Sequence, residues 1–135
     1  MLLVKSLSTF PYFLIYFVTA GLLSTLFLML YCALTPHREI ALIREGNTAA
    51  ATALTGALLG FVIPLASVIA HSAGLADVVV WGAVALAVQL GGFIAARLVL
   101  PHLSQAIQQG QVADAIFLAG LSLALGILDA ACMAG

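Results

Sequence analysis

The sequence predicts an all-α protein: an integral membrane bundle of four transmembrane helices, arranged as two parallel-repeated helical hairpins. Three observations predict it. Of 135 residues, 64% are hydrophobic and 7% charged, and the mean hydropathy is +1.25; soluble domains carry about 25% charged residues. Four apolar segments, about Tyr12–Leu34, Thr48–His71, Val78–Leu100 and Val112–Met133, each reach the roughly 20 residues that cross a bilayer. The segments that follow the first and third of them resemble each other. Helix is the open-chain solution in lipid, because backbone polar groups must be satisfied within the span. The length fits one domain, residues 1–135, with repeat units of about 10–72 and 76–135.

The first span follows Lys5. Its apolar stretch from Phe10 to Leu34 exceeds the roughly 7–15 residues of a signal-peptide core, and no small-residue cleavage pattern follows, so a retained span is expected. It is rich in Phe, Tyr and Leu and lacks a stripe of small residues, which predicts a lipid-facing position. Pro36 ends it, as Pro101 ends the third. Cys32 and Cys132 then fall at opposite faces of a core about 30 Å thick, too far apart for a disulfide.

The first linker reads P-H-R-E-I-A-L-I-R-E-G-N and the second P-H-L-S-Q-A-I-Q-Q-G-Q. Ile43 and Gly46 match Ile107 and Gly110 at an offset of 64, which continues through Ala49/Ala113, Leu54/Leu118, Gly56/Gly120 and Ile63/Ile127. Chance explains that shared frame less well than duplication of a two-helix unit. Each unit crosses and returns, so the repeats run parallel. Ile40 with Ile43, and Leu103 with Ala106 and Ile107, sit at helical spacing, which predicts short helices lying in the headgroup layer. Asn47 is a good N-cap for the second span, Gly46 permits the tight approach, and Glu45 lies by the positive helix start. Gln111 is a poorer cap in the matching position. Arg38 and Arg44 are in reach of lipid phosphates.

Small residues recur every four positions in the other three spans: Thr52, Gly56 and Gly60 beside Ala49, Ala53 and Ala57; Ala83, Ala87, Gly91 and Ala95; Ser122, Gly126, Ala130 and Ala134. Such stripes let backbones approach closely, so these spans are expected to form the core. Pro64 has no N–H for the Gly60 carbonyl, which predicts a kink and a freed carbonyl with Ser67 a turn away. Tyr12, Tyr16 and Trp81 fit an interfacial aromatic belt, His71 an exposed end, and Arg97 a snorkelling position.

Ionisable groups within a membrane are functional candidates. Asp129 lies ~25 Å along the fourth span, on its small-residue side, and is expected to face the bundle. Asp114 suits the first helical turn, and Gln89, mid-way along the third span, is placed to bridge helices. The candidate functional positions are therefore Glu45, Asn47, Ser67, Gln89, Asp114 and Asp129, with Gly60 and Pro64 at the kink. No H-E-x-x-H, G-x-S-x-G, phosphate-binding loop or Cys/His metal spacing occurs, so no enzyme, cofactor or metal site is expected. A net charge of −1 argues against nucleic acid. Arg38, Arg44 and Arg97 against Lys5 put the linkers in the cytoplasm and both termini outside it.

The run E-I-A-L-I-R-E-G-N-T-A-A-A-T-A-L-T-G-A-L-L-G-F-V-I-P-L-A-S, the Trp81-Gly82 pair, Gln89 and the closing G-I-L-D-A-A-C-M resemble the YjfL-like family of small bacterial inner-membrane proteins of unknown function. The resemblance covers nearly the whole chain. It implies a multi-pass protein of two repeated helix pairs in the inner membrane. It also implies Asn at the position of Asp129, hence hydrogen bonding there rather than proton carriage. The leading expectation is a non-enzymatic scaffolding component that contacts membrane lipids, self-associates as a homo-oligomer and has a possible envelope partner protein. The alternative is a channel or transporter subunit for protons or small cations using Asp129, Gln89 and Asp114.

Overall fold

The computed structural model describes residues 2–35, 38–71 and 74–134. Pro36 and His37, expected to end the first span and open the first linker, lie outside the described residues, as does the Ala134 side chain. Among the described residues the chain is helical without a strand: α1 Leu2–Ser8, α2 Phe10–Leu34, α3 Glu39–Arg44, α4 Thr48–His71, α5 Leu75–Val99, α6 Leu103–Gln108 and α7 Val112–Ala134. Four helical stretches are long and apolar enough to cross a membrane, the first running from Leu3 to Leu34 through α1 and α2. The bundle is therefore all-α with four membrane-crossing helices.

Each long helix starts or stops where local chemistry says it should. Pro11 sits in the first turn of α2, where a missing N–H is harmless. The third span begins at Leu75, three residues before the expected Val78, because Asp77 is accommodated in the first helical turn. It ends at Val99, ahead of Pro101. Helix α4 continues without interruption through Pro64, which is buried.

The short helices α3 and α6 close identically. Gly46 and Gly110 adopt left-handed φ of 87° and 78°. Each N–H reaches back three residues, Gly46 to Ile43 and Gly110 to Ile107, both at 3.0 Å. The next N–H reaches back five, Asn47 to Leu42 and Gln111 to Ala106, both at 2.9 Å. This is the Schellman closure, which needs a residue tolerant of positive φ.

The tightest seam joins α4 to α7. A Cβ on Gly56 would strike the Ala119 backbone, one on Gly60 the Ser122 carbonyl, and one on Gly126 the Gly60 carbonyl. Gly60 and Gly126 thus each present a Cα–H to a carbonyl of the opposite helix, a contact of about 0.5–1 kcal/mol. Helix α5 packs beside this pair through Val78, Gly82, Ala85, Gln89, Phe93 and Ala96. The expected stripe on that span is on the other side: Ala83, Ala87, Gly91 and Ala95 are all exposed. The third span joins the core, but through different residues.

Helix α2 is peripheral, as its composition predicts. Only Phe27 and Tyr31 are buried along it. Phe27 stacks on Phe61 of α4 (centroids 4.7 Å apart, planes 3° apart), and Tyr31 meets Phe93 of α5 edge-on at 5.4 Å. Such pairs add about 0.5–1.5 kcal/mol beyond simple contact.

The linker helices differ from expectation in what they cover. Leu103, Ala106 and Ile107 are buried in protein, so the apolar face of α6 plugs the end of the bundle rather than lying in lipid. In α3 the inward face is Glu39, Leu42 and Ile43, while Ile40 is 52% exposed. Ile43 turns inward with Leu42 beside the buried Glu39, whereas Ile40 turns away from the bundle.

Candidate functional site

The centre of the bundle is a single carboxamide. Gln89 of α5 is 2% exposed. Its Nε2 donates to the Gly60 carbonyl of α4 at 2.9 Å and to the Ser122 carbonyl of α7 at 3.0 Å. One primary amide has two N–H donors, and both are used, each on a different helix. The Gly60 carbonyl is available because residue 64, which would normally donate to it, is Pro64. The freed carbonyl and the bridging amide expected separately from the sequence are one feature. Gly60 also admits the amide, since a Cβ there would come within 2.8 Å of Nε2. Gln89 Oε1 is buried and makes no hydrogen bond among the described residues.

Asn47 is a second junction. Its Oδ1 accepts from the Ala50 N–H at 3.0 Å, capping α4. Its Nδ2 donates to the Ile107 and Gln108 carbonyls at 2.8 and 3.3 Å. Those carbonyls belong to the last turn of α6, where intrahelical partners run out. One side chain thus starts α4 and finishes α6. Gln111 does neither: its Nε2 lies 3.4 Å from Gln109 Oε1 at the surface.

The remaining candidates are scattered. Glu45 is exposed, and Asp114 and Ser67 are half-buried in α7 and α4. The Ser67 carbonyl lies 2.9 Å from His71 Nδ1, a contact within α4. Asp129 is half-buried, and its Oδ2 is enclosed without a hydrogen bond among the described residues. By the helical rise Asp129 stands ~10 Å beyond Ser122, and Asp114 ~12 Å before it. Gln89, Asp114 and Asp129 therefore occupy three levels and do not converge.

Sequence reasoning missed a group at the linker end. Glu39 is 1% exposed and lies within electrostatic range of Tyr31 and Cys32. Tyr31, Phe93 and Arg97 continue the group, with the Arg97 guanidinium 5.9 Å from the Phe93 ring centroid. The available signal was register: Glu39 is three and four residues from Leu42 and Ile43, which puts it on their face.

Several cavities among the described residues are open to the surroundings. An apolar groove of about 370 Å³ between α2 and α4 is lined by Tyr12, Phe13, Tyr16, Phe17, Ala20 and Ile69. A second, also about 370 Å³, runs along α4 and α7 by Thr55, Gly56 and Leu123. At the linker end are two polar clefts of about 400 and 310 Å³. Among the described residues, Gln89, Pro64 and Asp129 line none of these cavities. No three of the described His, Cys, Asp and Glu residues come together as a metal set.

The glycine seam, the bridging glutamine and the paired linker closures all fall within the range of one family match. The domain of unknown function DUF350 matches residues 5–133. The chain belongs to the DUF350 family. Its similarity extends to the UPF0719 inner membrane protein YjfL of Escherichia coli strain K12, 42% identical over 118 residues, 87% of this chain and 89% of the relative. The protein of that name from Escherichia coli O157:H7 matches to the same extent. No solved structure matches the chain. With four apolar helices and these relatives, this DUF350 protein is a multi-pass inner-membrane protein.

Proposed function

We propose that this protein is a non-enzymatic structural component of the inner membrane that associates with further copies of itself. One observation carries the reading. The stripe Ala83, Ala87, Gly91 and Ala95 is exposed, and a Cβ on Gly91 would meet nothing within 4 Å. Small-xxx-small faces favour helix–helix contact in lipid through close van der Waals packing. In a second copy the same face is self-complementary, as a twofold contact requires. A packed centre around Gln89 supports a scaffold over a conduit.

The expected result is efficient energy transfer between dye-labelled copies in liposomes at high dilution, abolished by Gly91→Leu. Copies that stay monomeric in liposomes would sink the reading. The same assay separates self-association from a membrane or envelope partner protein on this face, which predicts no transfer from the purified chain.

Two related statements belong to this reading. The chain is a duplicated helical hairpin, supported by the matched closures at Gly46 and Gly110. Its linkers face the cytoplasm and its termini the periplasm, supported by Arg38, Arg44 and Arg97 at the linker end against Lys5 at the other. Reporter fusions to the C-terminus that are active only in the cytoplasm would reverse that orientation.

A second reading, a path for protons or small cations, draws on the enclosed Asp129 Oδ2. It requires flux in reconstituted vesicles that Asp129→Asn removes; equal flux in the variant ends it.

A further inference from the structure

We propose that the cleft formed by Arg97, Pro101, Ser104, Gln105 and Gln108 binds a phosphate group, carried by an anionic phospholipid or as the free ion. The cleft holds about 310 Å³, room for such a group. It lies where the last turn of α5 meets α6, at the membrane-proximal end of the linkers. Its one charged lining residue is Arg97, and its other polar side chains are an alcohol and two amides. Each of these side chains has a donor for a phosphate oxygen, and among the described residues no carboxylate lines the cleft to oppose an anion.

Arg97 suits the task by type and position. A guanidinium offers parallel N–H groups that match a phosphate edge in pairs. Its distance of 5.9 Å from the Phe93 centroid is at the outer limit of cation–π contact, so the ring steadies the group and leaves its edges available. Ser104 Oγ is enclosed and makes no hydrogen bond among the described residues. Ser104 also lines the cleft, so a phosphate oxygen there would give this hydroxyl a partner. Basic pockets between membrane helices at this level are known lipid-headgroup sites in general.

The neighbouring cleft provides an internal control. It shares Gln108 but is lined by both Arg38 and Glu45, whose charges cancel. A phosphate distinguishes the two clefts although each has one arginine. The proposal is independent of self-association, because the Gly91 stripe and this cleft share no residue.

The test uses the full chain in a nonionic detergent, with binding read by native mass spectrometry. The probes are phosphatidylglycerol, diacylglycerol lacking phosphate, and inorganic phosphate. Phosphatidylglycerol is expected to bind well above diacylglycerol. Arg97→Gln is expected to weaken it about tenfold, and Arg38→Gln by no more than about twofold. Inorganic phosphate that displaces the lipid identifies the free ion as a ligand; failure to displace it identifies the headgroup. Both support a phosphate site. Equal binding of diacylglycerol, an unchanged Arg97→Gln variant, or equal losses from Arg97→Gln and Arg38→Gln would each overturn it. Should Arg97→Gln not fold, Gln105→Leu reads the same cleft from an exposed position, with an expected loss of about threefold; no loss there also overturns the proposal.

Discussion

Two faces of this protein carry the same sequence pattern and have opposite fates. Along α4, Gly56 and Gly60 are pressed against the α7 backbone, where no side chain fits. Along α5, Ala83, Ala87, Gly91 and Ala95 repeat at the same spacing but are exposed, and a Cβ on Gly91 would meet nothing within 4 Å. Small-residue periodicity therefore marks a face able to pack closely, without choosing its partner. The choice at the α4–α7 seam comes from complementarity: glycine Cα–H groups meet carbonyls, and the Pro64 gap gives Gln89 an acceptor. The α5 stripe offers neither a carbonyl freed by proline nor a buried amide.

The largest expected effect comes from filling the inner seam. Gly60→Leu drives carbon into the Ser122 carbonyl and displaces the Gln89 amide. Overpacking of a core costs about 1–3 kcal/mol and occasionally more, and a backbone obstacle puts this variant at the top of that range. A large drop in the detergent-unfolding midpoint is expected, and an unchanged midpoint would break the contrast between the two faces.

Next is Gln89→Leu, which removes two interhelical hydrogen bonds. At about 0.6 kcal/mol each within membranes, the loss is about 1–2 kcal/mol. Pro64→Ala supplies an N–H for the Gly60 carbonyl, so Gln89→Leu is expected to cost less in that background. A double-mutant cycle measures this, and strict additivity would show that proline and glutamine do not act as one feature.

Asn47→Ala is expected to cost ~1 kcal/mol through the lost cap. Asn47→Asp sharpens the point: it keeps the acceptor for the Ala50 N–H and loses the donor to Ile107 and Gln108. An intermediate thermal shift for Asp separates the two roles of the side chain; equal shifts for Ala and Asp would assign all of the effect to the link with α6.

The smallest effect on the fold belongs to the outer stripe. Gly91→Leu places its side chain in open space, so the unfolding midpoint should move by less than ~0.5 kcal/mol while self-association disappears. A midpoint shift comparable to that of Gly60→Leu would erase the comparison.

The sequence by itself determined the solvent, and with it most of the architecture. Four runs of apolar residues have no stable state in water and one regular state in lipid, so helices and their rough limits followed directly. The left-handed turns were legible at Gly46 and Gly110, and the α4 cap at Asn47, because these depend on a few neighbouring atoms. Pro64 likewise declared which carbonyl it would leave open. Tertiary structure alone decided which amide would take that carbonyl, that α5 would turn Gly82, Ala85 and Gln89 inward and its small-residue stripe outward, and that Glu39 would be buried. It also separated Asp114, Gln89 and Asp129 by level. The physical reason is that lipid makes every apolar face nearly equivalent: burial no longer selects a side of the helix, and only fit between particular backbones and polar groups does.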